Sequence, residues 1–434
     1  MKPEDLLEKV LESRYRVGVV GLGRVGLPLS IAFARKGIEV IGVDRDERLL
    51  SMVARGEMPF SESGGQEALQ QVLSARKLSA TADYAALQNV DVIFITVATG
   101  LNTEMRVDYT QLRSALETLA PHLRPVQLLL MRSTVSPGTL EKVVKPFIET
   151  HTHLEVGRDI LLASAPERIA AGRALVELET LPEIVGGLDP LTTRIASGVM
   201  RSLNPEKQIH ATDPVSAELA KLFTNVYRYV TFAVSNEFAL LSEHYGRDAH
   251  EIIHIINAGY ARGGIPLPGP CGGPCLAKDG YLLLEEISFP DFILTAWKLN
   301  EGIPYHMVQR LKEALEERGK RLAEARVAVL GMSFKADNDD LRQSPALRIQ
   351  EILVREGADV AVHDPYHDTM SLEDAVKDAD AIVLATNHTA FRGLRVSDLL
   401  PQAKPDCVFV DCWGQWRDHQ EGTSVLTFGQ RAET

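Results

Sequence analysis

Short apolar runs alternate with amphipathic, helix-like stretches along the first half of the chain. The runs RVGVV, DVIFITVA, LLLM and DILLASAP are rich in Val, Ile and Leu and are followed by turn residues or helix-like segments. Continuous apolar runs of this length are typical of strands that are buried on both faces of a parallel sheet. The alternation therefore predicts a doubly wound α/β domain.

A second series of the same kind begins near residue 326. RVAVLGMSFK, DVAVHDP, AIVLAT and CVFVDC are predicted to contain its strands, and SPALRIQEILVREG its first helix. The first turn of this series has a single glycine, Gly331, so we expect no second dinucleotide site there. The predicted fold is two doubly wound Rossmann-like domains that are joined by a central region of long helices.

The central region is dominated by one helix predicted from about 212 to 246. Asp213 and Pro214 suit its N-cap and first turn, and Gly246 suits its end. Apolar residues cover most of it, which predicts burial on more than one side. A further helix is predicted over 291–318.

Four residues of the long helix share one face: Lys221, Asn225, Phe232 and Asn236. Burying a lysine and two asparagines without partners is costly, so a polar ligand or network should meet this face. For Asn236, an internal hydrogen-bond network at a dimer interface explains the pattern as well as a ligand does.

Composition excludes several classes of function. The chain has 434 residues, which suggests two or three domains, and a formal net charge of −13, which argues against nucleic acid or an anionic membrane as partner. Four cysteines are too few for a disulfide scaffold and fit a reducing compartment. No secretory leader or membrane-spanning run is apparent. We therefore expect a cytoplasmic location.

The first apolar run leads into GLGRVG, which has GxGxxG spacing, and a second strand then ends at Asp44. Such a turn brings backbone donors and a helix N-terminus close to a pyrophosphate, and the acid binds the adenosine ribose. This order of elements predicts an NAD site, although Arg45 leaves NADP open. The predicted contacts of its turn are Gly21, Gly23, Val25 and Gly26.

Polar residues follow the other strands of this domain. Thr99, Ser133, Thr134 and Glu167 come after three successive apolar runs, where loops of an α/β sheet gather around a ligand. We expect them near the nicotinamide. Each could instead be a helix cap or a turn residue, and for Ser133 alone that interpretation is the better one.

The stretch GGIPLPGPCGGPCLAKD, at 263–279, is the most unusual part of the sequence. Proline and glycine exclude a strand or helix interior, so we predict a fixed irregular loop that presents Cys275 at a helix N-terminus. The helix end and Lys278 should lower the pKa of its thiol, and Asp279 adds a carboxylate. This pattern predicts a catalytic nucleophile.

Other interpretations of the cysteines are less consistent with the sequence. Cys275 could be a buried structural cysteine, or one half of a disulfide or metal pair with Cys271. The CxxxC spacing is a weak metal signal, and Cys407 and Cys412 lie around a predicted strand, so we predict no metal site.

Taken together, these motifs resemble the UDP-glucose/GDP-mannose dehydrogenase family over nearly the whole chain. The matching stretches are GLGRVGLPLS, STVSPGT, APERIAAGRA, EIVGG, ELAKLFTNVYR with SNE, GPCGGPCLAKD and VLGMSFKADNDDLRQSP. The resemblance implies an NAD domain over 1–204, a helical dimerisation region with the cysteine loop over 205–305, and a UDP-binding domain over 306–434. It also implies oxidation of a sugar C6 alcohol to a carboxylate with two NAD⁺ and one water.

The resemblance also implies roles for individual residues. Cys275 matches the nucleophile, Lys221 and Asn225 match groups that stabilise the C6 oxygen, and Asp279 matches an acid/base partner of Lys221 and water. Glu167 and Thr134 match residues that position or activate the hydrolytic water, and Arg342 matches a cofactor contact. Arg262 matches an arginine that reaches the substrate across a homodimer, and Lys335 matches a substrate-binding lysine. We add Lys278 as a further substrate contact.

Two stretches depart from the family pattern. VATG at 97–100 replaces a proline-containing turn, and a proline-rich approach containing Cys271 precedes the nucleophile. The APER and EIVGG segments look closer to the UDP-N-acetylhexosamine branch, especially N-acetylmannosamine, than to UDP-glucose.

Three functions remain open at this stage. The first is a UDP-sugar 6-dehydrogenase, acting on a UDP-N-acetylhexosamine or alternatively on UDP-glucose. The second is a β-hydroxyacid-type dehydrogenase, which would need no thiol. The third is a nucleotide-sugar binding protein without catalysis, which would need no nucleophile either.

Overall fold

A computed structural model describes residues 2–284, 289–417 and 424–430 of the chain. These residues fall into two compact units. Among the described residues, the first unit comprises 2–224 and 281–284, and the second comprises 225–280, 289–417 and 424–430.

The first unit is built on an eight-stranded sheet within the described residues. Its strands are β1 (Arg16–Val20), β2 (Glu39–Val43), β3 (Leu78–Thr81), β4 (Val92–Ile95), β7 (Gln127–Met131), β8 (Ile160–Ser164), β9 (Glu183–Gly187) and β10 (Ile209–Thr212). Between β4 and β7 the chain forms a separate small hairpin of β5 (Gly100–Leu101) and β6 (Val107–Asp108). The strand order is β10-β9-β8-β7-β4-β1-β2-β3, and every pairing is parallel except that of β8 with β9.

Helices cover both faces of this sheet. They are α1 (Pro3–Leu11), α2 (Gly26–Arg35), α3 (Glu47–Ala54), α4 (Gly65–Ser74), α5 (Thr110–Leu119), α6 (Lys145–His151), α7 (Ala174–Thr180) and α8 (Pro190–Arg201). Along β4, Phe94 belongs to one hydrophobic core while Ile93 and Ile95 belong to another. Because successive side chains of a strand point to opposite faces, these two cores lie on the two sides of a doubly wound sheet.

The predicted long helix is present as α9 (Pro214–His244). It is followed by α10 (Ala249–Asn257), α11 (Leu276–Asp279), α12 (Tyr281–Leu284), α13 (Asp291–Glu316), α14 (Pro345–Arg355), α15 (Leu372–Val376) and α16 (Val396–Leu399). The helix-like run predicted over 280–287 appears as α12, and its last residues lie outside the described part of the chain.

The second unit contains a five-stranded sheet in the described part of the chain. Its strands are β11 (Arg326–Leu330), β12 (Asp359–His363), β13 (Ala381–Leu384), β14 (Val408–Asp411) and β15 (Val425–Thr427). Their order is β12-β11-β13-β14-β15 and all pairings are parallel. The prediction of two doubly wound sheets with a region of long central helices is confirmed.

The two sheets use the same device at their first turn. Asp44, after β2, accepts a hydrogen bond from the backbone N–H of Leu22 at 2.6 Å, and Asp364, after β12, accepts one from Met332 at 2.6 Å. Gly21 and Gly331 precede these donors, with φ of 93° and 91°. The repeat is one of backbone geometry, in which an acid after the second strand fixes the turn after the first.

The apolar surface of α9 is not completely buried within one chain. Tyr227, Val234, Phe238 and Leu241 of α9 are exposed, and so is Tyr245, which directly follows the helix; the two tyrosines are 70% and 72% exposed. Spacings of seven, four and three residues place the four helical side chains along one face of α9. The expected burial on more than one side is therefore incomplete in a single chain.

Candidate active site

The glycine-rich turn after β1 has the steric requirements of a dinucleotide site. A Cβ on Gly26 would lie 1.8 Å from the carbonyl oxygen of Gly21 and 2.5 Å from Oγ1 of Thr96. A Cβ on Gly23 would meet no atom within 4 Å. Gly26 is thus needed for packing of the helix on the sheet, whereas Gly23 leaves the space that a pyrophosphate requires.

The remaining predicted contacts of this turn also fit a dinucleotide. Val25 is the N-cap of α2, whose first turn contains no acidic side chain. Asp44 uses one lone pair of each carboxylate oxygen, accepting from Leu22 and from Asp46 at 2.6 and 2.9 Å. A carboxylate oxygen can accept a second hydrogen bond, so Asp44 remains able to bind ribose hydroxyls.

The loops after β4 and β7 are tied together. Ser133 donates through its hydroxyl to the carbonyl of Val97 at 2.5 Å, and the hydroxyl of Thr99 donates to the carbonyl of Thr134. Thr99 and Ser133 are buried, while Thr134 is half-buried. The structure therefore brings these predicted residues to one end of the sheet, where Thr99 and Ser133 hold the loop that carries Thr134.

Glu167 belongs to a buried cluster of charges that the sequence did not predict. Its Oε2 accepts from Nε of Arg132 at 3.1 Å and from Nη2 of the same guanidinium. Its Oε1 accepts from the backbone N–H groups of Arg168 and Ile169 at 2.6 and 2.8 Å. A carboxylate has about four acceptor positions, and all four of those on Glu167 are occupied.

Arg132 also pairs with Glu183. Its Nη1 lies 2.8 Å from Glu183 Oε2, and Lys207 Nζ lies 3.6 Å from Glu183 Oε1. Burial opposes the charge of Glu167, but Arg132 and the backbone donors outweigh it and lower the pKa of that carboxyl. Burial likewise opposes the charge of Arg132, yet the two carboxylates raise the pKa of its guanidinium. The cluster has no net charge and keeps Glu167 ionised.

Lys221 and Asn225 lie one turn apart on α9, and both side chains are buried. Among the described residues, the Lys221 amine has no hydrogen-bond partner, whereas the Asn225 amide donates to Oδ2 of Asp279 at 2.6 Å. Asp279 is fully buried, and its Oδ1 accepts from Lys278 Nζ at 2.8 Å. Lys278 is thus committed to Asp279.

The cysteine loop is held by close backbone contacts within the second unit. A Cβ on Gly272 would lie 2.5 Å from the carbonyl oxygen of Gln343, and one on Gly273 would lie 2.6 Å from the ring of Phe334. Gly273 has φ of 99° and donates its N–H to Gln343. The two glycines therefore let the loop lie directly against the segment after β11, which explains the GGP sequence before Cys275.

Cys275 is the N-cap of α11 and its side chain is exposed, which fits the predicted position at a helix N-terminus. This helix is only four residues long. Arg342 bonds to Asp340 with 2.6 Å between Nη2 and Oδ2. These hydrogen bonds raise the pKa of the Arg342 guanidinium, and the Cys275 thiolate adds a further electrostatic contribution. Arg342, predicted as a cofactor contact, is thus also a cation that acts on the thiol.

The other three cysteines are buried and free. Burial raises the pKa of both Cys271 and Cys407 to about 12, and it raises the pKa of Cys412 as well. Cys275 is therefore the thiol suited to nucleophilic chemistry. No cluster of His, Cys, Asp and Glu within the described ranges is arranged to hold a metal ion.

The other predicted residues lie in different surroundings. Asn236 bonds to Asn300 at 3.0 Å and accepts the N–H of Gly269 at 2.9 Å, so it belongs to an internal network that holds the cysteine loop. Arg262 is exposed and stacks on Tyr260, with 5.1 Å from its guanidinium carbon to the ring centroid.

Lys335 is half-buried in the loop after β11. Its carbonyl accepts from Ser333 and Asn338, each at 3.0 Å. These bonds fix the backbone of the predicted substrate-binding lysine within the second unit.

Three segments match one family in chain order. Residues 15–204 match its NAD binding domain, 215–303 its central domain and 328–418 its UDP binding domain. The chain belongs to the UDP-glucose/GDP-mannose dehydrogenase family. It is an NAD-binding nucleotide-sugar dehydrogenase, and its UDP-binding domain fits a UDP-sugar substrate.

Relatives of this dehydrogenase match it over most of their length. It is 38% identical to the UDP-N-acetyl-D-mannosamine dehydrogenase of Pyrococcus horikoshii over 386 residues, which are 87% of this chain and 91% of the relative. A solved structure of the UDP-D-ManNAc dehydrogenase from Pyrococcus horikoshii superposes with a TM-score of 0.90 and 35% identity. The match covers 95% of this chain and 99% of that one. The structure of the UDP-N-acetyl-mannosamine dehydrogenase of Staphylococcus aureus superposes with a TM-score of 0.85 and 30% identity, and the match covers 95% of this chain and 98% of that one.

Family membership accounts for the glycine turn and the cysteine loop, whereas the pairing of Arg132 with Glu183 is seen only in the tertiary structure. A sequence signal for Arg132 does exist, because this charged residue directly follows the apolar run LLLM. A charge in that position must be paired when the strand is buried.

None of the dehydrogenase's helices in the described part of the chain is long and apolar enough to cross a membrane.

Proposed function

We propose that the protein is a UDP-N-acetylmannosamine 6-dehydrogenase that works through a covalent intermediate on Cys275. The observation that carries the mechanism is the exposed Cys275 thiol at a helix N-terminus, with Arg342 acting on it and with the Asn225–Asp279 pair in the same unit. The choice of sugar follows the activity of the relatives at 30–38% identity, which are UDP-N-acetylmannosamine dehydrogenases.

The proposed chemistry begins with the C6 alcohol of the sugar. Its hydroxyl loses a proton and its carbon loses a hydride, which gives an aldehyde. Lys221 and Asn225 stabilise the developing charge on the C6 oxygen, because an ammonium and an amide N–H both favour an alkoxide. When bound, NAD⁺ supplies the hydride acceptor for this oxidation and for the next one.

The second oxidation requires a tetrahedral carbon. The Cys275 thiolate adds to the aldehyde and forms the alkoxide of a thiohemiacetal, which loses a second hydride and becomes a thioester. Water then cleaves the C–S bond and releases the carboxylate and the thiol. In total, one alcohol, two NAD⁺ and one water give one carboxylate, two NADH and three protons. Asp279 is the acid/base group in these steps.

We assign Thr134 and Glu167 to the placement of the hydrolytic water. The saturated carboxylate of Glu167 supports a role in holding the loop and argues against proton abstraction, because its four acceptor positions are occupied. Lys335 and Lys278 are assigned to substrate binding. Of these two, Lys278 would act through its bond to Asp279.

We further infer that the protein is a homodimer that pairs through α9. The exposed apolar face of this helix, formed by Tyr227, Val234, Phe238 and Leu241, supports the inference, because soluble monomers rarely expose large contiguous apolar patches. Arg262 would then contact the substrate bound to the partner subunit. Its exposed position agrees with that role.

A substrate panel tests the function. NADH absorbance should be followed with UDP-N-acetylmannosamine, UDP-N-acetylglucosamine, UDP-N-acetylgalactosamine, UDP-glucose and GDP-mannose. The proposal expects two NADH per UDP-N-acetylmannosamine and much slower turnover of the others. Preference for UDP-glucose would replace the sugar and keep the mechanism, whereas one NADH per sugar would refute the thioester. Nucleotide binding without any NADH would indicate a binding protein.

A further inference from the structure

Glu218 is a buried carboxylate to which the proposed mechanism gives no role. It lies on α9, three residues before Lys221, and is 2% exposed. A buried acid on a catalytic helix needs partners that compensate for its desolvation.

The partners of Glu218 are backbone groups of the loop that carries Thr134. Its Oε2 accepts the N–H of Gly138 at 2.6 Å and its Oε1 accepts the N–H of Leu140 at 3.2 Å. Leu140 begins a π-helical turn that continues into α6, and its N-cap residue, Thr139, makes no side-chain capping bond. Glu218 therefore caps this helix from another element of the fold.

The segment between Thr134 and Leu140 is fixed at both ends. At its start, Ser133 and the carbonyl of Thr134 are bonded to the loop after β4, and at its end Glu218 holds Gly138 and Leu140. Glu218 is thus the group through which the first turns of α9 hold the Thr134 loop. A displacement of this carboxylate would move Thr134 relative to Lys221.

The charge state of Glu218 is sensitive to conditions near neutrality. Burial raises the pKa of Glu218 to about 7, against the bonds from Gly138 and Leu140, and the nearby carboxylate of Glu141 adds to the rise. Glu141 on the capped helix acts on it electrostatically, the Lys142 side chain lies beside Gly138, and Lys221 follows one turn further along α9. Protonation would convert one of its two accepting oxygens into a donor facing an N–H.

We propose that Glu218 is a positioning residue for the sugar oxidation and the thioester hydrolysis. While it is ionised it holds the Thr134 loop in place relative to Lys221, and when it is protonated it releases that loop. The proposal rests on the proposed function for its catalytic consequence, and on the observed contacts for its structural one. Glu218 binds the chain's own loop through Gly138 and Leu140, so the proposal requires no additional ligand.

The test compares Glu218→Gln with Glu218→Asp and with Glu117→Gln, an exposed glutamate on α5, as control. Steady-state rates should be measured between about pH 5 and about pH 9, with separate kcat and KM. For Glu218→Gln we expect kcat lower by about tenfold at alkaline pH and an unchanged KM for NAD⁺. We also expect loss of the acid limb, which is the decrease in kcat as the pH falls and Glu218 becomes protonated. Glu218→Asp should keep the acid limb, and Glu117→Gln should match the wild type.

Amide hydrogen exchange supplies a readout that does not need turnover. Peptides covering 136–142 should exchange faster in Glu218→Gln than in the wild type at alkaline pH, and the wild type should approach the variant as the pH falls. Unchanged exchange, or a wild-type pH profile in Glu218→Gln, would overturn the proposal. Absence of turnover with every nucleotide sugar would reject the proposed function alone, because the exchange result would still decide the positioning role.

Discussion

The guanidinium of Arg132 donates through Nε to Oε2 of Glu167 at 3.1 Å, and both side chains are buried. Together with Nη2 of Arg132 and two backbone N–H groups, this bond uses every acceptor position of Glu167. The pair joins the loop after β7 to the loop after β8. This geometry indicates that Glu167 holds the two loops together and does not take up a proton. Changes at Glu167 should therefore affect every step that depends on the position of these loops.

We expect Glu167→Gln and Arg132→Lys to slow the two oxidations and the hydrolysis together, by about 10²-fold, since each weakens the contact of Nε and Nη2 of Arg132 with Oε2 of Glu167, which places the loop. Rapid-quench measurement of NADH and mass spectrometry of Cys275 check this. If Glu167 is instead the hydrolytic base, Glu167→Gln will accumulate a thioester on Cys275 after two rapid NADH, and Arg132→Lys will be mild.

The two glycines of the cofactor turn form a matched pair. Gly26→Ala should destabilise the first unit, because its Cβ would lie 1.8 Å from a backbone oxygen. Gly23→Ala should keep the thermal midpoint, because its Cβ meets no atom of the protein within 4 Å. It should nevertheless raise the KM for NAD⁺ by about tenfold or more, since the methyl group occupies space for the pyrophosphate. Equal NAD⁺ affinity in Gly23→Ala and the wild type would contradict the assigned site.

Alkylation should report on a single thiol. We expect iodoacetamide to label Cys275 and to spare the three buried cysteines, whose pKa values are raised by burial. Arg342→Gln should slow labelling several-fold near neutral pH, because it removes a cation that favours the thiolate. Arg395→Gln, at an exposed ion pair with Asp398, is the control and should label at the wild-type rate. Peptide mass spectrometry measures each site.

Asn225 and Asp279 should act as one unit in catalysis. Asn225→Ala and Asp279→Ala each remove their 2.6 Å hydrogen bond, and each should lower kcat by about 10²-fold. Because both changes break the same contact, the double variant should be little worse than either single one. Effects that multiply in the double variant would show that the two side chains contribute independently.

A mixture of two inactive variants tests the inferred dimer. Arg262→Ala and Cys275→Ser should each be inactive alone, yet a heterodimer of the two would contain one site with both residues intact. Co-expression with two affinity tags should therefore restore up to about half of the wild-type activity per dimer. No recovery in a purified heterodimer would place Arg262 in the site of its own chain or outside the site.

The sequence alone determined the parts of this protein that depend on local physical constraints. Apolar runs and glycine spacing predicted the two β/α series and the cofactor turn, because buried parallel strands and tight turns restrict residue type directly. Capping and stop residues placed α9 within two residues at each end, as Pro214–His244 against a predicted 212–246. Strands β3 and β10 escaped prediction, since they are short and partly exposed at the edges of the sheet.

Only the tertiary structure decided which charged groups meet. Asn225 and Asp279 lie 54 residues apart in the chain, and Gly138 and Glu218 lie 80 apart. The need to pair Arg132 could have been inferred from its place after LLLM, but its choice of Glu167 and Glu183 could not. Desolvation makes a partner necessary for each buried charge, while the packing of distant elements determines which group that partner is.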